Sequence, residues 1–154
     1  MTALYMLDIN MVSYVVKGHS RAARARMLNL DEDESACLSV ITEAEILYGL
    51  AKRPEAAALR ERMEWFLAGV NVLPWGRNEA KAYGALRAKL ELSGKPLENM
   101  DMQIAARAIA TGAALVTNDK AFAQVDDLRA TVNWATDLPL RHASFTCCRP
   151  ACSR

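Results

Sequence analysis

The chain has 154 residues, 52% hydrophobic and 24% charged, which is the size of one domain with enough apolar material to bury a core. Its formal net charge of +1 excludes a protein that coats nucleic acid through bulk charge, so any such partner must be held locally. No apolar run approaches the roughly 18 to 20 residues that span a bilayer, and no secretory leader is visible, so a cytoplasmic protein with no membrane partner is expected. Of the cysteines, Cys37 falls in a predicted buried strand, whereas Cys147, Cys148 and Cys152 crowd near the C-terminus. Without a secretory signal, reduced thiols are the simpler expectation.

In chain order, short apolar runs alternate with longer segments of helical period, the pattern of a parallel sheet covered by helices on both faces. Residues 3–7 predict a first buried strand, followed by helices over 10–17 and 21–30. Residues 36–39 predict a second strand. Over 40–50, Val40, Ile41, Ala44, Leu47 and Tyr48 share one face of a predicted helix, and a further helix is expected over 54–67. A third strand over 70–73 is stopped by Pro74, and a long helix over 77–93 is closed by Gly94 and Pro96. Asn99 is expected to cap a helix running to Thr111, with Gly112 as its stop. Residues 114–117 predict a fourth strand and 131–134 a short fifth. The expectation is an α/β fold of four to five parallel strands in one domain over 1–140. Residues 141–154 show neither period and are expected to form a disordered tail.

Ligands in open parallel sheets collect beyond the carboxyl ends of the strands. Asp8 ends the first strand and Asp119 follows the fourth. Asp101 opens a helix whose same face carries Ile104, Ala105 and Ala108, so its carboxylate is expected on the buried side. Glu43 and Glu45 flank the stripe of their helix at similar angles, and periodicity does not choose between them. Each acid also has a structural explanation: Asp8 as a helix cap, Asp101 as a first-turn acid favoured by the helix dipole, Asn118-Asp119 as a turn, and Glu45 as a solvated helix residue. Carboxylates that do converge repel by about 1 kcal/mol per pair at roughly 4 Å in water, and about 4 kcal/mol at an effective dielectric of about 20. Such a cluster calls for a cation, and oxygen-only ligation selects hard ions such as magnesium or manganese.

His19 and His142 lack the spacing of a zinc or catalytic histidine, and neither a GxxxxGK loop nor a GxSxG elbow occurs. A phosphatase of the haloacid dehalogenase type would need Asp-x-Asp after the first strand, where this chain has Asn10.

Four segments, taken in order, resemble the PIN-domain endoribonucleases, and among them the VapC toxins of bacterial toxin-antitoxin pairs. The first is Met6-Leu7-Asp8-Ile9-Asn10, with Ile9 in place of the usual threonine. The second runs from Ser39 to Tyr48-Gly49, and its register selects Glu45 over Glu43. Asp101-Met102-Gln103-Ile104-Ala105-Ala106 is similar to the third motif, and Leu115-Val116-Thr117-Asn118-Asp119 with Phe122 to the last. The resemblance implies a PIN fold, Mg2+ or Mn2+ dependence, hydrolysis of RNA with tRNA among the candidate substrates, inhibition by a VapB-type antitoxin, and a homodimer. It also implies that Asp8, Glu45, Asp101 and Asp119 are the catalytic and metal-site acids, with Thr117 positioning water or phosphate. Lys17, Arg21, Arg24, Arg26 and Lys95 are candidates for contacting the RNA backbone. The alternative is a PIN scaffold that binds RNA or a partner without cutting it.

Overall fold

A computed structural model describes residues 2–136; the expected tail over 141–154 and the domain limit at 140 lie outside them. The elements are β1 (Ala3–Leu7), α1 (Ile9–Lys17), α2 (Arg21–Leu28), β2 (Glu34–Ser39), α3 (Val40–Ala51), α4 (Ala57–Gly69), β3 (Asn71–Leu73), α5 (Arg77–Leu92), α6 (Asn99–Thr111), β4 (Ala114–Val116) and β5 (Thr131–Val132). A single 3-10 turn, Lys120–Gln124, follows β4. All strand pairs are parallel, in the order β3-β2-β1-β4-β5.

Side chains alternate across each strand, so consecutive residues of the central strands enter different cores. Met6, Cys37 and Leu115 pack with Leu86 and Leu90 of α5 and with Met102, Ala105 and Ala108 of α6. Their neighbours Leu7, Leu38 and Val116 pack on the other face with Val12 and Val15 of α1, Ile46 and Leu50 of α3, and Met63 and Phe66 of α4. Helices thus cover both faces, as expected. A polar staple ties α2 to the sheet: the Arg26 guanidinium pairs with Glu34, and Tyr5 Oη donates to the same carboxylate at 3.1 Å. That guanidinium also lies 5.3 Å from the Tyr5 ring centroid and 5.2 Å from that of Trp134.

Several expectations need correction. The buried positions of α3 are Thr42, Ile46 and Leu50, whereas Ala44, Leu47 and Tyr48 are exposed. Apolar residues line most of that helix, so an apolar stripe could be drawn on either side of it. Asn99 is the first helical residue rather than the cap; Glu98 occupies the cap position without a capping side-chain hydrogen bond. Gly112, at φ 66°, ends α6 in the left-handed region as anticipated. Strand β2 begins two residues earlier than periodicity suggested, and β5 spans only Thr131–Val132.

A candidate acidic active site at the strand-order reversal

The chain builds β1, β2 and β3 in one direction and then returns to place β4 on the far side of β1. The order therefore reverses between β1 and β4, where open parallel sheets form their ligand crevice. Asp8 follows β1 and Thr117 to Asp119 follow β4, so both reach this crevice. Helix α3 starts directly at the end of β2 and brings Glu45 in its second turn. Helix α6 leads into β4 and runs antiparallel to it, which puts Asp101 in its first turn at the same end of the sheet.

Asp8 is 3% exposed, and both of its oxygens are engaged. Oδ1 accepts from the Met11 amide at 2.7 Å, capping α1. Oδ2 accepts from the Thr117 hydroxyl, whose oxygen in turn accepts the Asp119 amide at 2.9 Å. Thr117 therefore joins the ends of the two central strands. Asp119 is exposed, and its Oδ1 accepts from the Ala121 amide at 2.8 Å, starting the 3-10 turn. The capping and turn explanations of Asp8 and Asp119 are thus both true, and the charge of Asp119 still acts on Asp8.

Their proximity is visible in the charge states. Burial pushes Asp8 above the ordinary carboxylate range, and Asp119 adds to the rise against the hydrogen bonds from Thr117 and Met11. Glu45 is raised by burial and then by Asp101 and Asp8. Asp101 is raised by burial, then by Asp119, Glu98 and Asp8. Each of the four expected acids is therefore within electrostatic reach of at least two others, and Glu98 joins them as an acid that sequence reasoning missed. It sits three residues before Asp101, in a loop, where no period points to it. Glu43, the other glutamate on α3, is not among the charges that raise Asp8, Glu45 or Asp101.

Glu45 Oε2 is buried without a hydrogen-bond partner among the described residues, which leaves it open to a ligand such as a cation. No group of three or more His, Cys, Asp or Glu side chains among the described residues is arranged to hold a metal ion as the side chains stand. The electrostatic coupling and this arrangement differ because mutual influence extends further than ligand bonds do. Among the described residues neither the Glu45 nor the Asp101 carboxylate is held by a hydrogen bond. The four acids, in oxygen-only chemistry, fit a hard divalent cation.

Two grooves flank the acids. One, of about 290 Å³, is lined by Thr117, Asn118, Asp119, Lys120, Thr131 and Asn133. The other, of about 340 Å³, runs between α1, α3 and α4 and includes Glu45.

Helices on both faces of a parallel sheet, with carboxylates gathered at its order reversal, define an α/β domain with an acidic crevice. The PIN domain pattern matches residues 5–128. The chain belongs to the PIN-domain family, on its VapC ribonuclease branch. It is 31% identical to Ribonuclease VapC2 of Rickettsia felis over 85% of this chain and 98% of that protein. It is also 31% identical to the tRNA(fMet)-specific endonuclease VapC of Shigella flexneri, over 85% of this chain and 98% of the relative. The solved VapBC2 complex of Rickettsia felis, bound to a promoter DNA fragment, contains a chain that superposes with a TM-score of 0.79 at 30% identity, over 85% of this chain and 98% of that one. No helix among the described residues is long and apolar enough to cross a membrane.

Proposed function

We propose that this protein is a divalent-metal-dependent endoribonuclease and the toxin of a VapBC-type pair, with Asp8, Glu45, Asp101 and Asp119 as its metal-site and catalytic acids. The observation that carries the metal reading is the convergence of these acids from β1, α3, α6 and the end of β4, each within reach of at least two others. The relatives named ribonucleases support RNA as substrate. Bound Mg2+ or Mn2+ would supply Lewis-acid polarisation of the scissile phosphate and activation of water. Glu45 and Asp101, free of hydrogen bonds, would turn toward the cation. Asp8, held by Met11 and Thr117, would present a fixed carboxylate whose position changes little on loading. Thr117 keeps Asp8 and Asp119 in register.

The solved VapBC complexes support a VapB-type antitoxin as the partner. An inserted arginine or lysine from such a partner would satisfy the acids that a cation otherwise neutralises. A homodimer is part of the same proposal. In the test, purified protein is incubated with total RNA and Mg2+ or Mn2+, and the cut ends are mapped. Asp8→Asn, which keeps a capping oxygen for Met11, should stay folded by circular dichroism and lose cleavage by at least about 100-fold, the scale of a lost metal contribution. Expression of the wild-type chain alone should arrest growth, and co-expression of the antitoxin should restore it. Metal binding without any RNA cleavage would favour the non-cutting scaffold.

A further inference from the structure

Among the described residues, three buried side-chain polar atoms have no hydrogen-bond partner: Thr42 Oγ1, Glu45 Oε2 and Arg107 Nε. Arg107 belongs to the α5–α6 pair, where another of its nitrogens is bonded to Glu79. The remaining two stand one turn apart on α3. Thr42 is fully buried, and a buried polar group without a partner carries a cost that native folds seldom leave uncompensated. Other buried hydroxyls are engaged: Ser39 Oγ accepts the Ile41 amide at 3.2 Å, and Thr117 donates to Asp8. A threonine that serves only its helix returns its hydroxyl to the carbonyl four residues earlier, a bond that Thr42 does not make.

Helix geometry brings the two unpaired groups of α3 together. Residues three apart are neighbours on a helix, with Cβ atoms about 5–6 Å from each other, and every Cα–Cβ bond tilts toward the helix N-terminus. The Glu45 side chain therefore leans back over the turn that contains Thr42. A threonine hydroxyl offers one O–H donor, whereas an ionised carboxylate offers acceptor sites alone, about four of them. One such site can take the hydroxyl proton while the others stay open to a cation. Carboxylates that ligate metals are in turn held by hydrogen bonds from groups that do not touch the ion. We propose that Thr42 is a positioning residue of the metal site, its hydroxyl donating to the Glu45 carboxylate when a divalent cation is bound. The inference rests on the reading of the acids as a metal site. The hydrogen bond that neither group makes in this structure forms together with the ligand bond from Glu45, so the hydroxyl contributes to metal affinity and not to the stability of the fold.

The test is Mn2+ binding to the whole chain by isothermal titration calorimetry near neutral pH, with thermal melts in EDTA beside it. Thr42→Val keeps the volume and removes the hydroxyl, and it should weaken Mn2+ binding about 10- to 100-fold, the scale of a lost hydrogen bond to a ligating side chain. Thr42→Ala, which also lacks the hydroxyl, should weaken binding similarly and serves where the valine variant fails to fold. Thr42→Ser, which keeps the hydroxyl, should bind close to the parent. In EDTA, Thr42→Val should melt no lower than the parent, because an apolar group replaces a buried hydroxyl that has no partner. Affinity decides the outcome. Parent-like Mn2+ binding in Thr42→Val or Thr42→Ala, or failure of Thr42→Ser to bind like the parent, overturns the proposal; a lower melt of Thr42→Val with unchanged affinity assigns the hydroxyl to the fold instead. If the parent binds Mn2+ and Asp8→Asn does not, while Thr42→Val binds like the parent, the Thr42 assignment falls alone. If the parent binds no Mn2+, the metal-site reading falls and the assignment with it.

Discussion

Thr117 shows how much a single hydroxyl can organise. It donates to Asp8 and accepts from the Asp119 amide, so its loss would leave the buried Asp8 carboxylate and the part-buried Asp119 amide each short of a partner. Thr117→Val preserves the shape and should cost about 1–3 kcal/mol of stability, with a marked fall in cleavage, whereas Thr117→Ser should stay near the parent. Urea unfolding and an RNA cleavage assay on both variants check this. Asp101 presents the opposite case, because no hydrogen bond holds it and burial with Asp119, Glu98 and Asp8 raises its pKa. A carboxylate raised in this way stabilises the fold below its unfolded-state pKa and loses that contribution as pH rises through its folded-state pKa. At pH 7 to 8 without divalent metal, Asp101→Asn should therefore melt no lower than the parent, and up to about 4 °C higher. The variant should also lose the Mg2+-induced rise in Tm, which thermal melts with and without the ion would reveal.

At the level of elements, the Arg26 staple binds α2 to β1, β2 and the segment containing Trp134. Its hydrogen bond from Arg26 holds Glu34 below the ordinary carboxylate range, against burial, with the Asp31 amide helping. A lowered acid contributes stability above its unfolded-state pKa and loses it as pH falls through its folded-state pKa. Glu34→Gln should thus cost about 1–3 kcal/mol at pH 7, and urea unfolding should show the gap to the parent closing at low pH. The staple also explains what could be read in advance and what could not. Strands such as β1 and β4 announce themselves because buried parallel strands are nearly continuous apolar runs. Helix α3 is apolar nearly all round, so its buried face depends on which neighbours α4 and β2 supply. The acids after strands were legible from position alone, but the choice of Glu45 over Glu43 came from motif register. Glu98 and the partner of Arg26 depend on contacts across the fold, which periodicity does not carry.

Across the whole molecule, one sheet divides the interior into two cores, and the strand residues that separate them are shared scaffolding for the acids. Leu38 is fully buried on the α1–α4 side one residue before Ser39, which caps α3 and so sets the start of the helix carrying Glu45. Leu38→Ala should destabilise the protein by about 2–5 kcal/mol, measured by urea unfolding, while leaving the folded fraction able to cut RNA.

The Asp8–Thr117 hydrogen bond joins residues separated by 109 positions. During synthesis β1 can pair with β2 early, but its other partner, β4, emerges only when most of the chain has been made. The crevice cannot close over nascent polypeptide still lacking Ala114 onward, because Asp119 and the threonine that steadies Asp8 do not yet exist. A contact this distant along the chain is slow to form. Until that stretch has been made, the nascent chain should be harmless to the RNA of the ribosome that carries it.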